Sequence, residues 1–259
     1  MRDFTLKTYS LLLETFRNAD YTFTRFDEYI ESGKRLAVND KEDKICILRH
    51  DVDRRPANAY VTAKVENGLS VNGTYYFRYT RDSFNAAIVN SIAELGHEIG
   101  YHYETMDTRN GDVDKAYDDF CRILEKFREI YPVKTICMHG SPRSKYHNTD
   151  IWKNHTYTDL GIIGEPYLDI DFNQFAYLTD TGRMWNGSNV SVRDKVKSNI
   201  TFNFKSTTDI IDSIDKLPSK IMFTLHPERW NDSMLMWLEE LVSQNIKNVV
   251  KKYFFVKEK

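Results

Sequence analysis

Apolar positions along the chain recur in two alternating periods, and the alternation predicts strands separated by helices. Leu6, Tyr9, Leu12, Leu13 and Phe16 share one helical face, and Phe26, Tyr29 and Ile30 share another. These predict two helices between residue 4 and about residue 40, followed by a charged loop at 38–44. Residues 45–53, ICILRHDVD, open with four apolar side chains and read as a strand buried on both faces, leading into a helix over 54–68. Residues 71–78 are rich in β-branched and aromatic side chains and predict a strand. A helix over 84–95 carries Phe84, Ile88, Ile92 and Leu95, with Gly96 as its terminator. Residues 97–103 predict the next strand. Asp112 opens a helix whose stripe is Val113, Tyr117, Phe120, Leu124, Phe127 and Ile130, ended by Pro132.

Beyond it, 134–138 is another buried strand, with weaker strands at 160–164 and 176–179. A helix over 206–217, capped by Thr207 or Thr208, precedes a strand at 220–225, and a long helix fills 230–254. Strands separated by helices argue for parallel β/α units, in an open sheet or a barrel. No repeat, low-complexity tract or linker interrupts the chain, so 1–259 reads as one domain, with 1–44 as a helical extension packed on it.

Composition narrows the function classes. The 41% hydrophobic and 14% aromatic content supports a sizeable core. A formal charge of −2 argues against nucleic acid or an anionic membrane as a partner. No apolar run predicts a membrane span, and no signal-peptide core follows Met1. Cys46, Cys121 and Cys137 are odd in number and form no C-x-x-C, as expected of reduced thiols in a cytoplasm.

Candidate chemistry gathers at strand ends. His50, His102, His139 and His226 each end a predicted strand, and Asp51 and Asp53 stand beside the first. Two residues apart in extended backbone, the two carboxylates point the same way. Taken alone, one of them would cap the following helix and the other would face water. With four histidines ending strands nearby, His and Asp side chains converging from several strands suit zinc or another first-row dication. A buried polar network without metal is the competing reading. His97 precedes its strand, and His147 and His155 lie in a loop, so these three are set aside.

The strings His50-Asp-Val-Asp53, Gly96-His-Glu-Ile-Gly-Tyr-His102 and Phe223-Thr-Leu-His226-Pro resemble successive motifs of the polysaccharide deacetylases, the NodB-homology or carbohydrate esterase family 4 superfamily. The likeness covers roughly residues 45–230. The run R-H-D-V-D, Y-Y-F-R, G-H-E-I-G-Y-H-Y-E, C-M-H-G-S-P and L-T-D-T-G-R is similar to a subgroup linked to bacterial surface-polysaccharide loci. The resemblance implies a distorted (β/α) barrel of about seven parallel strands and metal-dependent removal of an N-acetyl group from a carbohydrate. It makes Asp51 the general base, Asp53 and His102 metal ligands, and His226 the acid that protonates the leaving group.

The sequence departs from the family where Met106 stands in place of the second motif's later histidine, since a thioether is a poor ligand for a borderline dication. The third motif's arginine is also missing, and His139 stands near its place. His102 in Gly100-Tyr-His and His139 in Met138-His-Gly resemble the YdjC-like sugar deacetylases, which implies Asp53, His102 and His139 as the ligand set, with zinc the expected ion and Glu104 in reserve. Glu104, Glu165, Asp180 and Arg183, with Tyr167, are candidates for substrate hydroxyls; a surface ion-pair and turn cluster explains the last four equally well. Tyr101, Tyr103, Trp185 and Trp230 are candidate sugar-stacking faces. Another C–N hydrolase of the superfamily and a non-catalytic carbohydrate-binding relative remain as alternative functions.

Overall fold

The computed structural model describes residues 2–33, 44–141, 144–185 and 196–254. In order these form α1 (Leu6–Asn18), β1 (Thr22–Thr24), α2 (Phe26–Glu31), β2 (Ile45–Val52), α3 (Pro56–Gly68) and β3 (Thr74–Phe77). Then follow α4 (Ala86–Glu94), β4 (Glu98–Tyr103), α5 (Thr105–Thr108), α6 (Val113–Arg128) and β5 (Ile136–Met138). The last described elements are α7 (Pro166–Asp169), β6 (Ala176–Thr179), α8 (Thr207–Asp212), β7 (Lys220–Leu225) and α9 (Met234–Phe254).

Every strand pairing among the described residues is parallel, and the order β5-β4-β3-β2-β7-β6 curls into a distorted (β/α) half-barrel. The seventh strand, β1, lay hidden in the sequence between the two N-terminal helices. It pairs with Ile45–Ile47 of β2, while β3 takes over the same edge of β2 from Arg49 onward. The N-terminal segment is therefore partly a barrel strand, because three residues too short for a visible period still complete an edge. The strand expected at 160–164 does not form: a 3-10 turn at Tyr157–Leu160 precedes it, and an isolated bridge from Thr135 to Gly164 stands where it was expected to end. The loop expected at 38–44 lies outside the described residues but for Lys44.

Helix ends follow their caps. Asn85 accepts from the Ile88 N–H, Asp112 from Lys115 N–H and Ser206 from Asp209 N–H, so the last helix of that set starts one residue after Ser206 and Thr207 is its first turn. No helix among the described residues is long and apolar enough to cross a membrane.

Residue parity on β2 positions the site. Cys46, Leu48 and Val52 face outward into the layers under the helices, whereas Ile45 and Ile47 face the barrel interior with Tyr76, Cys137 and Met222. Arg49 and Asp51 continue that inner row, and all eight residues of β2 are buried. On β4, Ile99, Tyr101 and Tyr103 belong to the outer core, leaving Glu98, Gly100 and His102 on the inner side. Gly100 leaves room for the Tyr76 ring, which a Cβ there would overlap. Parallel strands thus deliver their C-terminal residues to one rim, where α/β proteins build their sites.

Candidate active site

At that rim lies a cavity of about 570 Å³, lined by Asp51, Asp53, His102, His139, His226 and Arg78, among others. The structure therefore brings together five of the residues expected from sequence. Asp51 is held by a two-pronged ion pair: Arg49 Nε donates to Oδ1 at 2.9 Å and Nη2 to Oδ2 at 2.6 Å. The Arg49 guanidinium also lies 4.5 Å from the centre of the Tyr167 ring, which fixes its plane. Burial works against the Asp51 carboxylate, but Arg49 and then His102 outweigh it and keep it below the usual range. The alternation that pairs Asp51 with Asp53 also pairs it with Arg49, so this partner was available in the sequence.

Deeper contacts set the state of His102. Its Nδ1 sits 2.9 Å from the Cys137 carbonyl, and because a carbonyl only accepts, Nδ1 carries the proton. Burial pulls the imidazole below its ordinary value, so Nε2 holds a bare lone pair. That lone pair faces Oδ2 of Asp51 and Oδ1 of Asp53, each at 3.7 Å. His139 Nε2 lies 3.7 Å from the same Asp53 oxygen. Asp53 Oδ1 is buried and receives no hydrogen bond. His102 Nε2 and Asp53 Oδ1 thus face each other with no hydrogen bond between them, and although burial would lower the His139 imidazole, Asp53 and Glu104 outweigh it and hold it above its ordinary value.

A possible metal-binding group among the described residues consists of Asp51, His102 and Cys137, whose ligand atoms lie within 4.8 Å of one another. Each Asp51 oxygen there already accepts one hydrogen bond from Arg49, whereas Asp53 Oδ1 accepts none.

Glu104 stands behind His139. Its Oε2 is 3.0 Å from His139 Nδ1, out of line for a hydrogen bond, and Arg78 clasps both its oxygens at 2.7 and 3.0 Å. Burial would raise this carboxyl, but His139 and Arg78 bring it down to about 2. Met106 packs on α5 in the outer core and contributes nothing to the cavity lining.

His226 follows β7 and donates from Nδ1 to Asp180 Oδ1 at 2.7 Å, leaving Nε2 for the cavity. Asp180 Oδ1 also accepts from Arg229 at 2.7 Å, and Oδ2 from the His226 N–H at 3.0 Å and Trp230 Nε1 at 2.8 Å. Four donors fill its four lone-pair positions, so Asp180 has none left for a sugar hydroxyl; it orients His226 instead. Burial and Arg229 push the His226 imidazole down, but Asp180 and Asp53 outweigh them, and it stands at about 9.

Two other substrate candidates sit away from the cavity. Glu165 is fully buried and caps α7, accepting from Tyr167 and Leu168 N–H and from Met138 N–H, and burial pushes it up to about 7. Arg183 lies with its guanidinium 4.3 Å from the Trp237 ring and 5.4 Å from Phe4. The stacking candidates are core residues: Tyr101 and Tyr103 under α6, Trp185 and Trp230 in the layer beneath α1. Sequence reasoning missed Arg78, Glu228 and Arg229 in the lining, for which charge alone gives no signal.

No protein-family profile matches the sequence, and no curated protein does. Among solved structures, the Streptococcus pyogenes deacetylase PplD in complex with acetate is similar at a TM-score of 0.45 and 12% identity, over 60% of this chain and 71% of its own.

Proposed function

We propose that the protein is a metal-dependent hydrolase that removes N-acetyl groups from a carbohydrate. The observation that carries this reading is the unprotonated His102 Nε2 and the uncommitted Asp53 Oδ1 facing each other, with His139 Nε2 on the same oxygen. Asp53, His102 and His139 would hold the ion. A dication there supplies positive charge to the amide carbonyl oxygen and acidifies a water molecule.

The remaining steps belong to the chain's own side chains. Asp51, fixed by Arg49, takes a proton from the attacking water as its oxygen bonds to the carbonyl carbon. His226 gives a proton from Nε2 to the amide nitrogen as the C–N bond breaks, releasing acetate and an amine. A histidine standing at about 9 is protonated at neutral pH and begins the cycle as an acid.

The lining contains no aromatic side chain among the described residues. That favours, as a second reading, a C–N hydrolase for a smaller amide held by charge rather than by ring stacking. The deciding experiment is metal analysis of the purified protein together with acetate release from N-acetylated sugars. Bound metal with acetate release supports the first reading. Bound metal without release from any of the sugars supports the second, and loss of both leaves a non-catalytic binding protein.

A further inference from the structure

The last helix is built inside out. Glu240, Gln244 and Asn248 of α9 turn toward the body and are buried, with Gln244 donating to Glu240 at 2.6 Å and Asn248 to the Gly182 carbonyl at 2.8 Å. The opposite face is apolar and exposed: Leu235, Leu238, Val242, Ile246, Val249 and Tyr253, at 78% and 75% exposure for the first and last. Their spacing of three, four, four, three and four residues repeats every eleven. At about 3.67 residues per turn such a stripe stays on one side of a straight helix, here over about 30 Å. Apolar surface of that extent seldom faces water without a partner.

Charge at the edge of the stripe selects the partner. Glu239 and Lys247 flank it on the same side, eight residues apart. Glu239 keeps 58% of its side chain exposed although Arg55 reaches it, and Lys247, which stands between this stripe and the catalytic cavity, makes no ion pair with a described residue. We propose that α9 pairs antiparallel with α9 of a second copy of this chain about a two-fold axis near Ser243. Antiparallel two-fold packing brings the same flank of both helices together, so Glu239 of each copy meets Lys247 of the other. A lipid surface would call for cations along the whole flank, and the acidic first half opposes it.

Sedimentation velocity of the full chain tests this. The parent is expected to run at twice the mass of one chain. Leu238→Glu with Val242→Glu gives a monomer with an unchanged circular dichroism spectrum, because both side chains are exposed. Glu239→Lys or Lys247→Glu alone loosens the pair by about tenfold, and the two together restore it. A parent that stays monomeric up to about 100 µM overturns the proposal. So does a monomer that instead co-sediments with phosphatidylcholine–phosphatidylglycerol vesicles, or a double charge reversal that fails to restore pairing.

Discussion

At the scale of single residues, the two carboxylates of His50-Asp-Val-Asp53 separate by their partners. Each Asp51 oxygen accepts one hydrogen bond from Arg49 and keeps a lone pair for a proton, while Asp53 Oδ1 accepts no hydrogen bond. Asp51→Asn is therefore expected to abolish turnover yet keep metal, whereas Asp53→Ala loses it in a chelator-competition titration. In the same titration His139→Ala weakens binding by more than the 10–100-fold typical of a residue that only supports a ligand, Glu104→Gln by about that amount, and Met106→Leu hardly at all. Equal metal loss from Asp51→Asn and Asp53→Ala would exchange the two roles. His226→Ala is expected to slow hydrolysis about 10²–10⁴-fold with the metal retained. With the parent imidazole at about 9, the rate should fall as pH rises through that value, since the acid loses its proton. Asp180→Asn removes the carboxylate that holds the imidazole up and moves this falling limb to lower pH. A limb that stays in place in Asp180→Asn would remove His226 from the acid role.

At the scale of elements, β4 shows how a strand serves two layers at once. Its outward residues Ile99, Tyr101 and Tyr103 pack under helices, and its inward row runs Glu98, Gly100, His102 toward the rim. Gly100 carries the tightest packing in that row. Besides overlapping Tyr76, a Cβ would lie 3.0 Å from the Thr135 carbonyl oxygen, a backbone atom that cannot swing aside. Gly100→Ala is expected to cost about 1–3 kcal/mol in denaturant unfolding, the usual penalty of overpacking a filled core. Because Tyr76 lies beneath the site, the variant should also weaken metal binding through His102. A stability within experimental error of the parent would mean that the ring has room to move.

At the scale of the whole molecule, the barrel floor holds a buried acid far from the catalytic rim. Glu98 accepts from the Thr74 hydroxyl at 2.7 Å, from the Asp27 N–H at 3.0 Å and from the Thr135 hydroxyl. Burial, then Asp27, push its carboxyl up to about 8. The folded state therefore keeps a proton that the unfolded chain releases near its ordinary value. The stability this provides is complete at low pH and is lost as pH rises through about 8. Glu98→Gln retains a donor and an acceptor without the charge, so its melting temperature should exceed that of the parent at pH 8.5 and lose that advantage at pH 5. Parallel pH curves for parent and variant would place the sensitivity elsewhere.

What the sequence determined by itself is local and periodic. The run of apolar residues before Arg49 dictated a buried strand, the helical stripe from Val113 to Phe127 dictated α6, and spacing by two dictated that Asp51 and Asp53 share a side. These follow from chain geometry, which needs no distant partner. Tertiary structure decided whatever depends on contacts between remote segments. β1 exists because β2 offers it an edge, not because Thr22–Thr24 has a pattern. Asp180 looked free for substrate because its four donors come from His226, Arg229 and Trp230, more than forty residues away. Tyr101 and Trp230 looked available for sugars because an aromatic ring fits a core as readily as a site, and only packing chooses between them.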